Sequence, residues 1–245
     1  MKETAWLGRT KLLIGDERLT KLMSSNVLIV GLGGVGSFAA EFIVRAGVGK
    51  VTICDGDIVD PTNRNRQLPA LSTTHGVSKA AWMQERLLAI NPELQLTVIN
   101  EFLRMQPMKE LLFSQRYDYV IDAIDSITPK ITLITTCHQN NIPIISSMGA
   151  GGKLDPTRIR VTDISNTFNC KLAHYVRKRL HRQKIYKGVK AVFSSEKAPA
   201  GSLMLTDGTN FKKSAYGTMS YLPAAFGGAC ASVVIRDLIQ WKETV

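Results

Sequence analysis

The stretch that most narrows the fold is Gly31-Leu32-Gly33-Gly34-Val35-Gly36, which follows directly on the β-branched run Asn26–Val30 and precedes a helical pattern. Glycines placed this way permit a tight turn and let phosphate oxygens approach backbone N–H groups at a helix N-terminus. Around it, short β-branched runs alternate with helical patterns, as parallel βαβ units require. Strands are expected at Asn26–Val30, Lys50–Cys54 and residues 94–99, 117–121 and 142–146, with helices near 35–46, 76–90, 108–114 and 129–140. After Gly149-Ala150-Gly151-Gly152 the pattern changes to a strand near 158–162, a basic helix, a polar stretch over 194–214 that reads as a mobile crossover or lid, and a closing helix from about residue 224. The expected fold is α/β: a Rossmann-like, doubly wound, mostly parallel sheet with a C-terminal elaboration. One domain is expected over residues 1–245, with a nucleotide-binding core over about 25–150 and the elaboration over about 151–245.

Several classes are disfavoured at once. The chain opens Met1-Lys2-Glu3-Thr4-Ala5-Trp6 with no apolar run behind its charges, so neither a signal nor a transit peptide is expected, and the protein is expected in the cytoplasm. Residues 216–235 carry no charge and are long enough to span a bilayer, but Gly217, Pro223, Gly227 and Gly228 dilute their hydrophobicity, so a buried helix is expected and no stable membrane insertion. Cys54, Cys137, Cys170 and Cys230 lie far apart with no Cys-x-x-Cys pair for zinc or redox work, and read as buried reduced thiols.

The formal charge of +11 points to a polyanionic partner. Between residues 171 and 190 stand Lys171, Arg177, Lys178, Arg179, Arg182, Lys184, Lys187 and Lys190 with no acid among them. A solvated helix face is the bland explanation. A run with no acids favours contact with a phosphate backbone.

Asp55 follows the second strand, where an acid accepts hydrogen bonds from a ribose hydroxyl. Up to this point an NAD-dependent oxidoreductase would look the same. The next segment separates the two, because Asp55-Gly56-Asp57-Ile58-Val59-Asp60-Pro61-Thr62-Asn63-Arg64-Asn65-Arg66-Gln67 is too polar to give nicotinamide an apolar face. Its arginines, asparagines and Gln67 can neutralise and orient a triphosphate. Lys79 on the next helix can reach the same phosphates, while Asp57 serves equally well as a loop brace. Asp122-Ala123-Ile124-Asp125-Ser126 supplies two carboxylates at the end of the fourth strand, where a Mg2+ ligand belongs. Asp122 is also suited to bonding the strand end.

With Ile90-Asn91-Pro92 added, these motifs in this order resemble the ubiquitin-activating-type (ThiF/MoeB/HesA-like) adenylyltransferase superfamily over residues 9–147. The resemblance implies that ATP is bound by Gly31, Gly33, Gly34, Gly36, Asp55, Asp57, Asn63, Arg66, Gln67, Lys79, Asp122 and Asp125. Arg66, Lys79 and Asp125 would be catalytic, and Asp125 would carry Mg2+. It also implies a homodimer in which Arg9, the fourth catalytic residue, reaches into the neighbouring subunit's site.

Within the superfamily the chain is most similar to the tRNA threonylcarbamoyladenosine dehydratase branch. The similarity runs through Pro129-Lys130, Gly149-Ala150-Gly151-Gly152-Lys153-Leu154-Asp155-Pro156-Thr157, Val161-Thr162-Asp163-Ile164-Ser165 and Val192-Phe193-Ser194-Ser195-Glu196. It implies adenylylation of the modification's carboxylate and ring closure with release of AMP, next to the tRNA anticodon. Lys171, Arg177, Lys178, Arg179, Arg182 and Lys184 are then the expected tRNA contacts. Asn169-Cys170-Lys171-Leu172-Ala173 departs from the Asp-Pro-Leu-Ala common in that branch, so a monovalent cation site stays open, as does a partner from a sulfurtransferase system. Two other functions remain: adenylylating the C-terminal glycine of a ubiquitin-like sulfur carrier, and binding tRNA as a nucleotide-dependent module without catalysis.

Overall fold

The structure, a computed structural model, describes residues 4–205 and 214–242. Two short helices, α1 (Gly8–Ile14) and α2 (Asp16–Ser24), lead into the first strand, β1 (Asn26–Val30). The chain then alternates through α3 (Gly36–Arg45), β2 (Lys50–Cys54), α4 (Lys79–Ile90), β3 (Gln95–Ile99), α5 (Met105–Ser114), β4 (Tyr119–Asp122), α6 (Ile127–Gln139) and β5 (Ile144–Ser147). Next come β6 (Ile159–Asp163), α7 (Lys171–His181), β7 (Lys190–Ser194), β8 (Leu203–Leu205), β9 (Ser214–Tyr216) and α8 (Tyr221–Leu238).

Seven strands form one sheet in the order β3-β2-β1-β4-β5-β7-β6, parallel except for β6, which runs antiparallel to β7. This is the doubly wound architecture expected from the sequence. The chain reverses its direction of travel across the sheet between β1 and β4, so the loops after these two strands flank the crevice where such sheets bind ligands.

Strand side chains alternate between the two faces. Val27 and Ile29 join a core with Ala39 and Ile43 of α3, Met83 and Leu87 of α4, and Phe226 and Val234 of α8. Leu28 and Val30 join the opposite core with Met108 and Leu112 of α5, Ile134 of α6, and Val176 and Leu180 of α7. The uncharged segment is therefore a buried helix, α8. Pro223 sits in its first turn, where no intrahelical N–H is needed. No helix among the described residues is long and apolar enough to cross a membrane.

The differences from expectation fall mostly in the last third. The basic helix stops at His181, leaving Lys184 and Lys187 beyond it, and Lys190 opens a parallel strand beside β5. Part of the polar stretch folds as the antiparallel ribbon β8–β9, and residues 206–213, in the middle of the expected lid, lie outside the described residues.

Candidate active site

The glycine loop is set by close approach. Gly31 has a φ of 92°, and a Cβ there would stand 2.8 Å from the Ala123 carbonyl oxygen. A Cβ on Gly36 would come within 1.7 Å of the Gly31 carbonyl oxygen, so the turn into α3 closes only with glycine. Gly34 lies against the Arg66 backbone and Pro223, each 2.9 Å from a Cβ built on it, so the start of α8 buttresses the loop from behind. No side chain caps α3; the Ser37 N–H bonds the Gly33 carbonyl at 3.2 Å and the Ala39 N–H the Val35 carbonyl at 3.0 Å, and the other first-turn N–H groups are those an anion at a helix start can satisfy.

Asp55, just past β2, accepts hydrogen bonds from the N–H of Leu32 at 2.5 Å and of Asp57 at 2.7 Å. Burial pushes its carboxyl above the usual range, against the pull of the Leu32 N–H and the Lys79 charge. A hydroxyl donor arriving at this carboxylate replaces lost water. Asp57 holds the Lys79 ammonium at 3.0 Å, with the lysine side chain 4% exposed. Asp57 is thus a brace, and Lys79 is held ready beside the glycine loop.

The polar segment folds through a 3-10 turn, Pro61–Asn63, closed by a reciprocal cap between Asp60 and Asn63. Arg66 donates to the Thr62 carbonyl and to Asn65 Oδ1, both at 2.9 Å, while Asn65 Nδ2 donates to the Thr218 carbonyl at 3.0 Å. Burial lowers the Arg66 pKa, and the nearby Asp125 carboxylate opposes that shift. The charges of Arg66 and Asp125 are thus near enough to act on each other. Gln67 stands beside Gly33, and its buried Oε1 has no hydrogen-bond partner among the described residues. An uncapped helix start, a cradle that a Cβ would fill and a buried acceptor awaiting a donor all fit a bound nucleotide.

The two carboxylates after β4 differ sharply. Asp125 is exposed at the strand-end edge. Asp122 is fully buried, paired with Lys130 at 2.7 Å and accepting from Ser146 Oγ at 2.5 Å. Only Asp125 has the exposure for an ion. Among the described residues no three His, Cys, Asp or Glu side chains gather as a metal site. One carboxylate plus ligand phosphates is the usual donor set for Mg2+, and it fits Asp125.

Arg9 lies elsewhere. Two residues before it, Leu7 packs on Gly47, which precedes β2, whereas Asp55 follows β2. The five residues of β2 separate these edges by about 17 Å. Arg9 is exposed and far from its own chain's glycine loop.

The expected tRNA contacts gather on and after α7. Lys171, Lys178, Arg179, Arg182 and Lys184 are exposed, and none pairs with a carboxylate among the described residues. Arg177 is half-buried and donates to Thr167 Oγ1, which ties it to the preceding loop. The Cys170 thiol, which caps α7, lies 3.6 Å from a Cβ built on Gly149, just past β5, so α7 starts at the active-site edge. Its eleven residues carry the charges about 16 Å towards the opposite edge. In the segment that departs from the branch pattern, the Lys153 ammonium donates to the carbonyls of Asn169 and Glu196.

The contacts of Thr218, Pro223, Lys130 and Ser146 escape sequence reasoning, although Lys130 stands in the Pro129-Lys130 pair that carries the resemblance. The first two belong to the uncharged segment, and the last two look like an ordinary helix lysine and strand serine. Burial pushes the thiols of Cys54, Cys137 and Cys230 up to about 12, which leaves half-buried Cys170 as the one accessible thiol among the described residues.

The ThiF family pattern matches residues 8–245. The tRNA threonylcarbamoyladenosine dehydratase of Bacillus subtilis is 46% identical, over 77% of this chain and 74% of the relative. The Escherichia coli tRNA N6-threonylcarbamoyladenosine dehydratase, solved in complex with ATP, superposes with a TM-score of 0.87 at 36% identity, over 97% of this chain and 95% of that one. The Escherichia coli sulfur carrier protein ThiS adenylyltransferase is 37% identical over 55% of this chain and 53% of its own length.

Proposed function

The chain belongs to the ThiF family, and from that premise we propose that it is an ATP-dependent enzyme that dehydrates and cyclises threonylcarbamoyladenosine next to the tRNA anticodon. The observation that carries the reading is the likeness to dehydratases over 74% or more of each chain, against about half for the sulfur-carrier adenylyltransferase.

In this reading Gly31, Gly33, Gly34 and Gly36 admit the phosphates to the start of α3, and Asp55 accepts from the ribose. Gln67 Oε1 accepts a hydrogen bond beside Gly33. Asn63, Arg66 and Lys79 hold the phosphates and offset charge as the modification's carboxylate oxygen bonds to the α-phosphorus and pyrophosphate leaves. Asp125, together with phosphate oxygens, would hold Mg2+, which would supply positive charge to offset the leaving pyrophosphate. A nitrogen of the same modification then attacks the activated carbonyl, the ring closes and AMP departs with the carboxylate oxygen. No enzyme thiol is required.

Two copies form the working unit, with Arg9 of each completing the other's site. That arrangement accounts for the distance of Arg9 from its own glycine loop. Lys171, Lys178, Arg179, Arg182 and Lys184 hold the tRNA backbone, and the enzyme works in the cytoplasm. The test is incubation with ATP, Mg2+ and threonylcarbamoylated tRNA, followed by nucleoside mass analysis. Loss of one water from the modified nucleoside supports the reading. Pyrophosphate release that needs a Gly-Gly-ended protein instead of tRNA would replace it with sulfur-carrier adenylylation, and tRNA binding with no turnover would reduce it to a binding module.

A further inference from the structure

The most deeply buried charges in the described molecule take no direct part in that chemistry. Asp122 and Lys130 are both 0% exposed and 2.7 Å apart, one ending β4 and the other in the first turns of α6. A fully buried ion pair gives up the hydration of two charges and is often no more stable than an apolar pair of the same size. Its use here lies in what else the two groups hold.

Asp122 Oδ1 accepts from the Ile124 N–H at 3.1 Å, and the Lys130 ammonium donates to the Ile124 carbonyl at 2.8 Å. Ser146 Oγ, on the neighbouring strand β5, donates to Asp122 Oδ2 at 2.5 Å and fixes the carboxylate itself. Ile124 is therefore gripped at both backbone polar groups by opposite charges. Its carbonyl belongs to the peptide unit that leads into Asp125. The Ala123 carbonyl oxygen lies 2.8 Å from where a Gly31 Cβ would stand, and the Ala123 methyl lies 3.0 Å from a Cβ built on Gly36. The loop carrying Asp125 is thus pressed on the glycine loop from one side and held by the ion pair from the other.

We infer that Lys130 and Asp122 are positioning residues: the buried pair locks the Ile124 peptide so that Asp125 is presented to the nucleotide at a fixed height above the glycine loop. The inference rests on the reading of Asp125 as the Mg2+-linked carboxylate. Asp122 then acts through Lys130 and Ile124, without touching nucleotide or ion.

The test compares wild type, D125N, the double variant D122N/K130M and S146A. K130M alone would strand a buried carboxylate, whereas the double variant removes both charges and keeps an amide oxygen for the Ile124 N–H. Two quantities are read: kcat and KM for ATP in tRNA dehydration, and the gain in ATP affinity on adding Mg2+, measured by calorimetry without tRNA. D122N/K130M is expected to stay folded by circular dichroism and to lose about 10²-fold in kcat, the scale of a misplacement of about 1 Å. Its KM for ATP should change less than about threefold, and its Mg2+ gain should fall towards that of D125N. S146A should move both readouts the same way by less, and it carries the test by itself if the double variant does not fold. A folded variant with wild-type kcat and an unchanged Mg2+ gain would overturn the inference and leave the pair a purely structural bond. If wild type fails to dehydrate tRNA, the proposed function fails, while the Mg2+ gain still decides this question.

Discussion

The crevice beside β1 and β4 and the outer face of α7 treat charge in opposite ways. In the crevice, the charged groups apart from the exposed Asp125 are buried or cross-braced: Asp55 takes two backbone N–H groups, Lys79 rests on Asp57, and Lys130 rests on Asp122. On α7 and just beyond it, Lys178, Arg179, Arg182 and Lys184 stand in solvent with no carboxylate partner among the described residues. Chemistry on a phosphorus atom needs groups already oriented when charge develops, so that nothing reorganises during the step. Capture of a long polyanion needs charges whose counterions can be released. On the proposed function, the contrast divides labour between transition-state stabilisation at the crevice and substrate affinity on the helix.

The sharpest way to break that division is at Asp125. D125N is expected to keep the fold and the tRNA affinity and to lose on the order of 10²–10³-fold in kcat, because a fixed charge beside the phosphates is gone. Wild-type rates of tRNA-dependent pyrophosphate release in this variant would contradict it. Arg9 extends the same test between subunits. If R9A and D125N homodimers are each inactive, a verified mixed dimer has one site with both defects and one with neither, so about half of the wild-type activity should return for independent sites. No recovery would mean that Arg9 acts within its own chain.

At the other region, Lys178, Arg179 and Arg182 reversed to glutamate should raise KM for tRNA roughly tenfold and flatten its salt dependence by about 0.9 for each phosphate no longer neutralised. ATP affinity should stay put, since α7 carries these charges about 10 Å or more from its active-site end, beyond a Debye length of about 8 Å. Normal tRNA affinity with an unchanged salt slope would make the segment a solvated helix face. Arg177 is better left intact, because its bond to Thr167 mixes a structural role with any electrostatic one. The smallest effect is expected at Cys170. C170S should keep kcat within about twofold, since the thiol caps α7 and no covalent step needs it. A well-folded but inactive C170S enzyme would bring a thioester back.

The same contrast governs what can be read from sequence. β1 and β2 have the bounds expected, because each is a β-branched run ending at a residue that the glycine loop or Asp55 forces out of the strand. The strand expected at 117–121 begins two residues later. Asp118, whose carboxylate accepts from the Asn26 N–H, is spent anchoring the start of β1, and the strand runs on to Asp122 because Ser146 and Lys130 satisfy that carboxylate. β7 is hidden behind the end of the basic run, and only its long-range pairing with β5 and β6 reveals it. Local pattern carries the crevice motifs, since spacing along one βα unit places them. It cannot carry Lys130, whose burial depends on a strand and a serine contributed by distant segments, nor the way α8 returns to brace Gly34 through Pro223.

The central claim is that the oxygen lost on dehydration is carried away by AMP. Threonylcarbamoylated tRNA labelled with heavy oxygen in its carboxylate, incubated with the enzyme, ATP and Mg2+, tests this directly by mass analysis of the released AMP. Attack of the carboxylate on the α-phosphorus followed by ring closure places one labelled oxygen in each AMP formed, with pyrophosphate unlabelled. Unlabelled AMP beside a cyclised nucleoside, or unlabelled ADP released together with labelled inorganic phosphate, would contradict adenylylation as the activating step.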